Sequence, residues 1–376
     1  MERLREWTIT LTCMVLRWLF VLLTPPRHQA SPGKILVIKP CCLGDALLAS
    51  PAITALRAEW PEAAIVVATS EWARAAIEHH PAIDSFIECN PASRGGLTPG
   101  LEAWRLAQRV RHQNFDLAIV LDRSPLISLV PLLAGIPVRA GIDSGGRGFS
   151  LTERVPALPL RHEADLYLDV VRAAGCHPLE PTLSFSPTHE ERAWAIEALP
   201  QGEWVAVHPA GGVNPGSALL GKRWPSHCFR ELSERLLDRG YGVVLLGGRD
   251  DYQVTQEIAA LLPAPQRSRV YDFAGRSSFG QTAALLERCR MLVGNDTGVM
   301  HLAVAVGTPV VAVFGPSKPV VYGPYKSPHS RVVHHEEQCA HCVFRGGLVG
   351  HCRNQFACMT GATVDEVAGA AAMLIG

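Results

Sequence analysis

The chain has 376 residues, 48% of them hydrophobic and 19% charged, with a formal net charge of zero. That length allows two ordinary domains with cores of their own, and the balanced charge excludes a global field that would gather nucleic acid, so a bound anion has to be held by local geometry. Eleven cysteines, odd in number and dispersed, exclude a secreted disulfide scaffold and suit a reducing cytoplasm. Seven of them are scattered, Cys41-Cys42 included, and most read as small core hydrophobes.

Residues 1–33 form an apolar segment and linker. Arg3 and Arg5 precede a mostly apolar stretch from Trp7 to Leu23, broken by Arg17 and followed by Thr24-Pro25-Pro26-Arg27. The stretch is slightly short for a transmembrane helix, which takes about 20 apolar residues. No small-x-small site follows that would make it a cleaved signal. With Trp7, Trp18 and flanking arginines it is expected to lie on the inner face of the cytoplasmic membrane. The plain alternative is a docked helix with no membrane role.

Residues 34–180 read as a first Rossmann-like domain. Ile35 to Ile38 is a buried-type strand, followed by the loop Pro40 to Gly44 and a helix from Asp45 towards Glu59, kinked at Pro51. Further strands fall at Ile65–Val67, Phe86–Ile87 and Leu117–Leu121, and helices at about 101–111 and 165–174. Pro178, Pro181 and Pro187 mark a linker, and a helix at His189–Leu199 joins the lobes. A second domain, residues 181–330, repeats the alternation: strands at Trp204–Val207, Val243–Leu246, Met291–Val293 and Val310–Val313, with a helix at Ser226–Arg239. A Cys-rich tail and C-terminal helix occupy residues 331–376. Alternating strands and helices predict an α/β protein of two Rossmann-like lobes, each with a parallel sheet, facing a central cleft that receives the loops at the strand ends.

The run Gly294-Asn295-Asp296-Thr297-Gly298-Val299-Met300-His301 carries the sharpest chemistry. A strand ends at Gly294, Asn295 or Asp296 is placed to cap a helix, and Gly307 is its stop. N–H groups at Thr297, Gly298 and Val299 would then face a diphosphate at a positive helix end, with Thr297 adding a hydroxyl and His301 one turn on. The alternative is a capped buried helix with an idle histidine. Asp45 is either an N-cap or a general base at a strand-to-helix turn. His208-Pro209 ends another strand and suits the lining of a diphosphate pocket. The loop Pro40 to Asp45 lacks the Gly-x-Gly-x-x-Gly turn, which disfavours a dinucleotide dehydrogenase.

Asn295-Asp296-Thr297-Gly298-Val299-Met300-His301-Leu302-Ala303, then Gly307-Thr308-Pro309 and Phe314-Gly315-Pro316, resembles the nucleotide-sugar motif of glycosyltransferase family 9, the heptosyltransferases. The resemblance takes in Leu43-Gly44-Asp45 and Lys222-Arg223-Trp224-Pro225, and covers nearly everything from about residue 34 onwards. It implies a GT-B fold and inverting transfer of a sugar, typically heptose from ADP-heptose, to a lipopolysaccharide-core or related glycolipid acceptor, with no metal cofactor needed for catalysis. It implies Asp45 as catalytic base and Lys222 as a ligand of the donor phosphates that offsets leaving-group charge. It also sets Asp250 near the nucleoside ribose, beside the donor-binding His208, Asn295, Asp296, Thr297, Gly298 and His301. The threonines common before the family's lysine are absent here, and the loop Ala210 to Gly221 is longer than usual. Arg223 either shares the phosphate or is solvated, and Arg123 and Arg147 are either acceptor ligands or surface residues.

Cys339-x2-Cys342-x9-Cys352-x5-Cys358, with His341 and His351 interleaved, has spacing that suits a structural tetrahedral zinc or iron; the alternative is a set of reduced cysteines packing the tail. Two further readings of the whole chain stay open: a nucleotide-sugar 2-epimerase-like enzyme on the same fold, and a non-catalytic two-lobed sugar-binding protein.

Overall fold

The computed structural model describes residues 2–23, 31–89, 99–178, 182–214, 217–335, 352 and 355–375. The chain divides into two compact units, Met1–Thr182 and Leu183–Gly376.

The first unit begins with helix α1 (Glu2–Leu23), then β1 (Lys34–Ile38), α2 (Leu43–Leu48), α3 (Ser50–Glu59), β2 (Ala64–Thr69), α4 (Glu71–Arg74) and β3 (Ser85–Glu88). It continues with α5 (Pro99–Arg111), β4 (Leu117–Val120), α6 (Pro125–Leu133), β5 (Val138–Asp143), β6 (Glu153–Pro156) and α7 (Glu163–Ala173). The six strands are parallel in the order β3-β2-β1-β4-β5-β6. Strand β1 is central, and Ile35, Leu36, Val37 and Ile38 are wholly buried, as a continuous apolar run covered on both faces should be. One expected helix from Asp45 to Glu59 is in fact two. Pro51 has no N–H to give the Leu47 carbonyl, and Ser50 Oγ takes that carbonyl at 2.7 Å instead. The helix therefore breaks at Ala49, ahead of the proline.

Helix α1 belongs to this unit and packs on the 143–149 segment. Cys13 is buried, Phe20 meets the Phe149 ring at 5.5 Å, and Arg17 pairs with Asp143 at 3.3 Å. Its outer face exposes Leu11, Met14, Val15 and Trp18 at helical spacing. Among the described residues no helix is long and apolar enough to cross a membrane.

The second unit contains α8 (His189–Ala198), β7 (Trp204–His208), β8 (Val213–Asn214), β9 (Ser217–Ala218), α9 (Ser226–Asp238), β10 (Gly242–Leu245), α10 (Tyr252–Leu261) and β11 (Val270–Asp272). It ends with α11 (Phe279–Leu286), β12 (Cys289–Asn295), α12 (Gly298–Ala305), β13 (Val310–Phe314), α13 (Pro319–Tyr322), β14 (Arg331–His334), α14 (Ala357–Thr360) and α15 (Val364–Ile375). Its main sheet is again parallel, in the order β11-β10-β7-β12-β13-β14. Numbered within each unit, both orders are 3-2-1-4-5-6, so the order in which strands are added reverses between the first and fourth, where ligand crevices form at the carboxyl ends. Thr188 and Glu191 form a capping box that starts α8. The returning tail closes the core: Trp224 is buried against Phe229 and donates its indole N–H to the Ala362 carbonyl at 2.8 Å. Met359, Val367 and Ala371 fill the same cluster.

Candidate active site

In the second unit the loops after β7, β10, β12 and β13 meet at the switch point and are tied by polar side chains. Asn295 is wholly buried and acts as a brace: its Oδ1 accepts the Trp224 N–H at 2.9 Å and its Nδ2 donates to the Ala210 carbonyl at 3.1 Å. Those bonds satisfy two backbone groups that would otherwise be orphaned in the interior. Lys222 ion-pairs with the buried Asp296, which also accepts a short hydrogen bond from Ser317 Oγ. Arg223 is partly exposed and donates to the Gly211 carbonyl at 2.8 Å and to Asp251 Oδ1 at 2.9 Å. Asp251 in turn accepts the Gly248 N–H at 3.0 Å.

The helix start in this cluster lies one or two residues later than expected. β12 runs on to Asn295, and the N-cap of α12 is Thr297, not Asn295 or Asp296. Gly298 and Val299 open the helix, and their N–H groups have no helical carbonyl behind them. The Thr297 hydroxyl does not cap; it meets His208 Nδ1 at 3.2 Å. Burial pushes the His208 imidazole down to about 4, more than Asp251 raises it, so this ring is neutral at ordinary pH. Gly211, at φ +90°, lets the β7 loop pass under Thr297: a Cβ there would lie 2.4 Å from Thr297 Cγ2. His301 is buried one turn into α12, and α12 stops before Gly307. Asp250 is exposed on the turn Arg249–Asp251, whereas its neighbour Asp251 points inward.

In the first unit, the β1 loop carries Asp45 on the first turn of α2, where Cys42 and not Asp45 is the N-cap. The Asp45 carboxylate is a third exposed and receives Lys39 Nζ at 3.2 Å; the Lys39 side chain is itself 7% exposed. Arg123, on the β4 loop, makes two 2.7 Å bonds to the buried Glu163. The backbone carbonyl of Arg147 accepts Ser128 Oγ at 2.8 Å.

Asp45 thus sits in the first unit, while His208, Lys222, Asp250, Asn295, Asp296, Thr297, Gly298 and His301 share the second. Sequence reasoning passed over Lys39, Asp251 and Ser317. Lys39 had a signal, a charge closing an apolar strand; Ser317 follows Gly315-Pro316 directly. Of the four tail cysteines, Cys339 and Cys342, like His341 and His351, lie outside the described residues. Cys352 Sγ accepts the Phe356 N–H at 3.2 Å, and Cys358 is buried in the core cluster. Among the described residues no group of three or more metal-ligating side chains occurs.

Two doubly wound parallel sheets of this order are those of the GT-B fold. The solved Escherichia coli ADP-heptose lipopolysaccharide heptosyltransferase II is similar at a TM-score of 0.72 and 27% identity, over 91% of this chain and 98% of that one. A family 9 glycosyltransferase of Veillonella parvula shares the fold at a TM-score of 0.75 and 23% identity, over 93% of this chain and 99% of that one. Among curated relatives, lipopolysaccharide heptosyltransferase 2 of Escherichia coli (strain K12) is 33% identical over 299 residues, covering 76% of this chain and 84% of its own length. Its counterpart in Salmonella typhimurium (strain LT2) is 34% identical over 298 residues, with the same coverage. The family described as glycosyltransferase family 9 (heptosyltransferase) matches residues 103–352. The chain belongs to glycosyltransferase family 9.

Proposed function

We propose that this glycosyltransferase moves heptose from ADP-heptose to a lipopolysaccharide-core acceptor with inversion at the anomeric carbon. The observation that carries the reading is the second unit's switch-point cluster, in which the Lys222 ammonium lies beside the first turn of α12 through Asp296. A partly covered cation next to a helix N-terminus favours the negative charge that builds on a departing nucleoside diphosphate. Asp296 holds Lys222 in the resting state; an arriving diphosphate competes for that ammonium. On the acceptor side Asp45 takes the proton of the attacking hydroxyl as its oxygen bonds to the anomeric carbon and the carbon–phosphate oxygen bond breaks. The relatives named for lipopolysaccharide heptosyltransfer support the choice of sugar and acceptor.

Transfer from ADP-heptose to a core acceptor, measured beside an ADP thermal-shift titration, tests it. Asp45→Asn is expected to lower kcat by ~10²–10⁴-fold while the ADP shift persists. Near-normal transfer in that variant removes Asp45 as the base, and a stronger shift with UDP or GDP than with ADP overturns the donor.

Two finer points belong to the same proposal. Helix α1 rests on the inner membrane face through Leu11, Met14, Val15 and Trp18, which brings the enzyme to a lipid-linked acceptor. The cysteines Cys339, Cys342, Cys352 and Cys358 hold a structural zinc or iron outside the reaction; their spacing supports this. Elemental analysis of the purified chain should find about one metal equivalent, and its absence ends the assignment.

A further inference from the structure

We propose that Cys41 and Cys42 form a thiol–disulfide exchange site whose oxidation slows the transfer step at Asp45. The inference rests on the reading of Asp45 as the base. Two observations set this pair apart. Its sulfurs are bonded to each other, and both residues are half-exposed. By contrast Cys13, Cys89, Cys176 and Cys289 are buried, and burial pushes the thiols of Cys89, Cys176 and Cys289 up to about 12. Thiols so protonated and covered do not exchange, because the thiolate is the attacking form and needs access. Cys228 is half-buried with its thiol also raised, and no second sulfur is bonded to it.

The position gives the pair its consequence. Lys39 N–H is tied to the Ala68 carbonyl at 3.0 Å and the Pro40 carbonyl to Ser70 N–H at 3.1 Å, so the chain is pinned just before the pair. Just after it, the Cys42 carbonyl accepts Ala46 N–H at 2.9 Å and begins the helix that carries Asp45. Cys41 and Cys42 are thus the link between the buried Lys39 and the Asp45 it pairs with. A bond between the two side chains fuses that link into a small ring and removes its freedom. Lys39 holds one oxygen, Oδ2, of the partly exposed Asp45 carboxylate; meeting an incoming hydroxyl with the other requires a fine adjustment of the helix start, and that adjustment draws on the freedom of this loop.

The chemistry needs an oxidant, a low-molecular-weight disulfide such as oxidised glutathione. One cysteine thiolate attacks it, forming a mixed disulfide and releasing a first glutathione thiolate. The neighbouring thiolate then displaces the second glutathione and closes the Cys41–Cys42 bond. Two protein thiols lose two protons and two electrons, and the incoming disulfide leaves as two thiols.

Full-length enzyme is equilibrated in glutathione buffers from fully reduced to fully oxidised. Three quantities are followed: the mass of the peptide bearing both cysteines, the transfer rate at saturating donor, and the ADP thermal shift. Oxidation is expected to remove two hydrogens from that peptide without leaving a glutathione adduct. It should lower transfer roughly tenfold, the order expected when a catalytic group is misplaced by a fraction of an ångström, reversibly with a dithiol reductant. The ADP shift should not move. The double variant C41S/C42S is expected to ignore the buffer. If it does not fold, C42S alone serves, since it can take a glutathione adduct but cannot close the ring. A pair that stays reduced throughout, an oxidised pair with an unchanged or faster rate, or an equal loss in the variants overturns the proposal. No transfer in any buffer, with the peptide still losing two hydrogens, sinks the functional reading and this rate effect while leaving the exchange site standing.

Discussion

Lys39 is a lysine buried at the end of an apolar strand, with its ammonium 3.2 Å from Asp45 Oδ2 and 5.8 Å from the centre of the Tyr167 ring. A buried ammonium needs a partner, and here the partner is the proposed base, which makes Lys39 a positioning residue. Lys39→Met should lower kcat by roughly 10-fold or more through lost placement of the carboxylate, with KM for the donor and the ADP thermal shift unchanged. Lys39→Arg should recover part of the rate. Equal losses in both variants, or a parallel loss of ADP binding, would mean a general packing role. His80 shows a residue effect on stability. Ala82 N–H donates to its Nδ1, so Nε2 carries the proton towards Thr54 Oγ1, and burial pushes the imidazole from 6.5 down to about 4. The folded chain therefore declines a proton that the unfolded chain accepts. Stability is whole above pH 6.5 and falls as pH drops towards 4, by about 3 kcal/mol for this group. Unfolding midpoints across that window should fall less steeply in His80→Gln than in the native chain, so the gap between the two narrows with acid. His208 moves in the same direction and leaves a residual slope in the variant.

At the scale of elements, the parts legible in the sequence are those with one dominant signal. The apolar runs of β1, β4, β7, β10 and β13 announce buried parallel strands, and α5, α7, α8 and α9 begin and end within two residues of where their patterns place them. Strand β5 escaped because Arg139 and Gly141 interrupt its pattern. Arg139 is nonetheless buried, its guanidinium held by the carbonyls of Ser150, Ile136 and Pro137. Ile136 and Pro137 lie directly before the strand, but the Ser150 carbonyl comes from the loop after it, and no sequence pattern announces that the three converge on one guanidinium. Strands β6, β11 and β14 are short or at sheet edges, where half-covered faces leave mixed sequences. The motif Asn295 to His301 was readable as a strand-to-helix turn. Its internal bonds were not: Asn295 braces two neighbouring loops, Asp296 holds Lys222, and Thr297 meets His208.

For the molecule as a whole, the open question carried by the sequence was the apolar N-terminus. One face of α1 is spent on the 143–149 segment through Cys13, Arg17 and Phe20. The stripe Leu11, Met14, Val15 and Trp18 remains exposed. Cosedimentation with vesicles containing anionic lipid should retain the full-length chain. The pair Leu11→Glu and Trp18→Glu should release it, with solution ADP binding unaffected. Retention of the substituted chain would reduce α1 to a docked helix.

By itself the sequence determined the two α/β units and the glycosyltransferase family, because strand runs, turn residues and motif spacing are local and survive in one dimension. Only the tertiary structure decided which charge meets which: Lys39 with Asp45, Lys222 with Asp296, Arg223 with Asp251, and the neutral state of His208. The ionic pairs depend on side chains that folding brings together and the neutral histidine on burial, and neither quantity exists until the sheets have closed around their switch points.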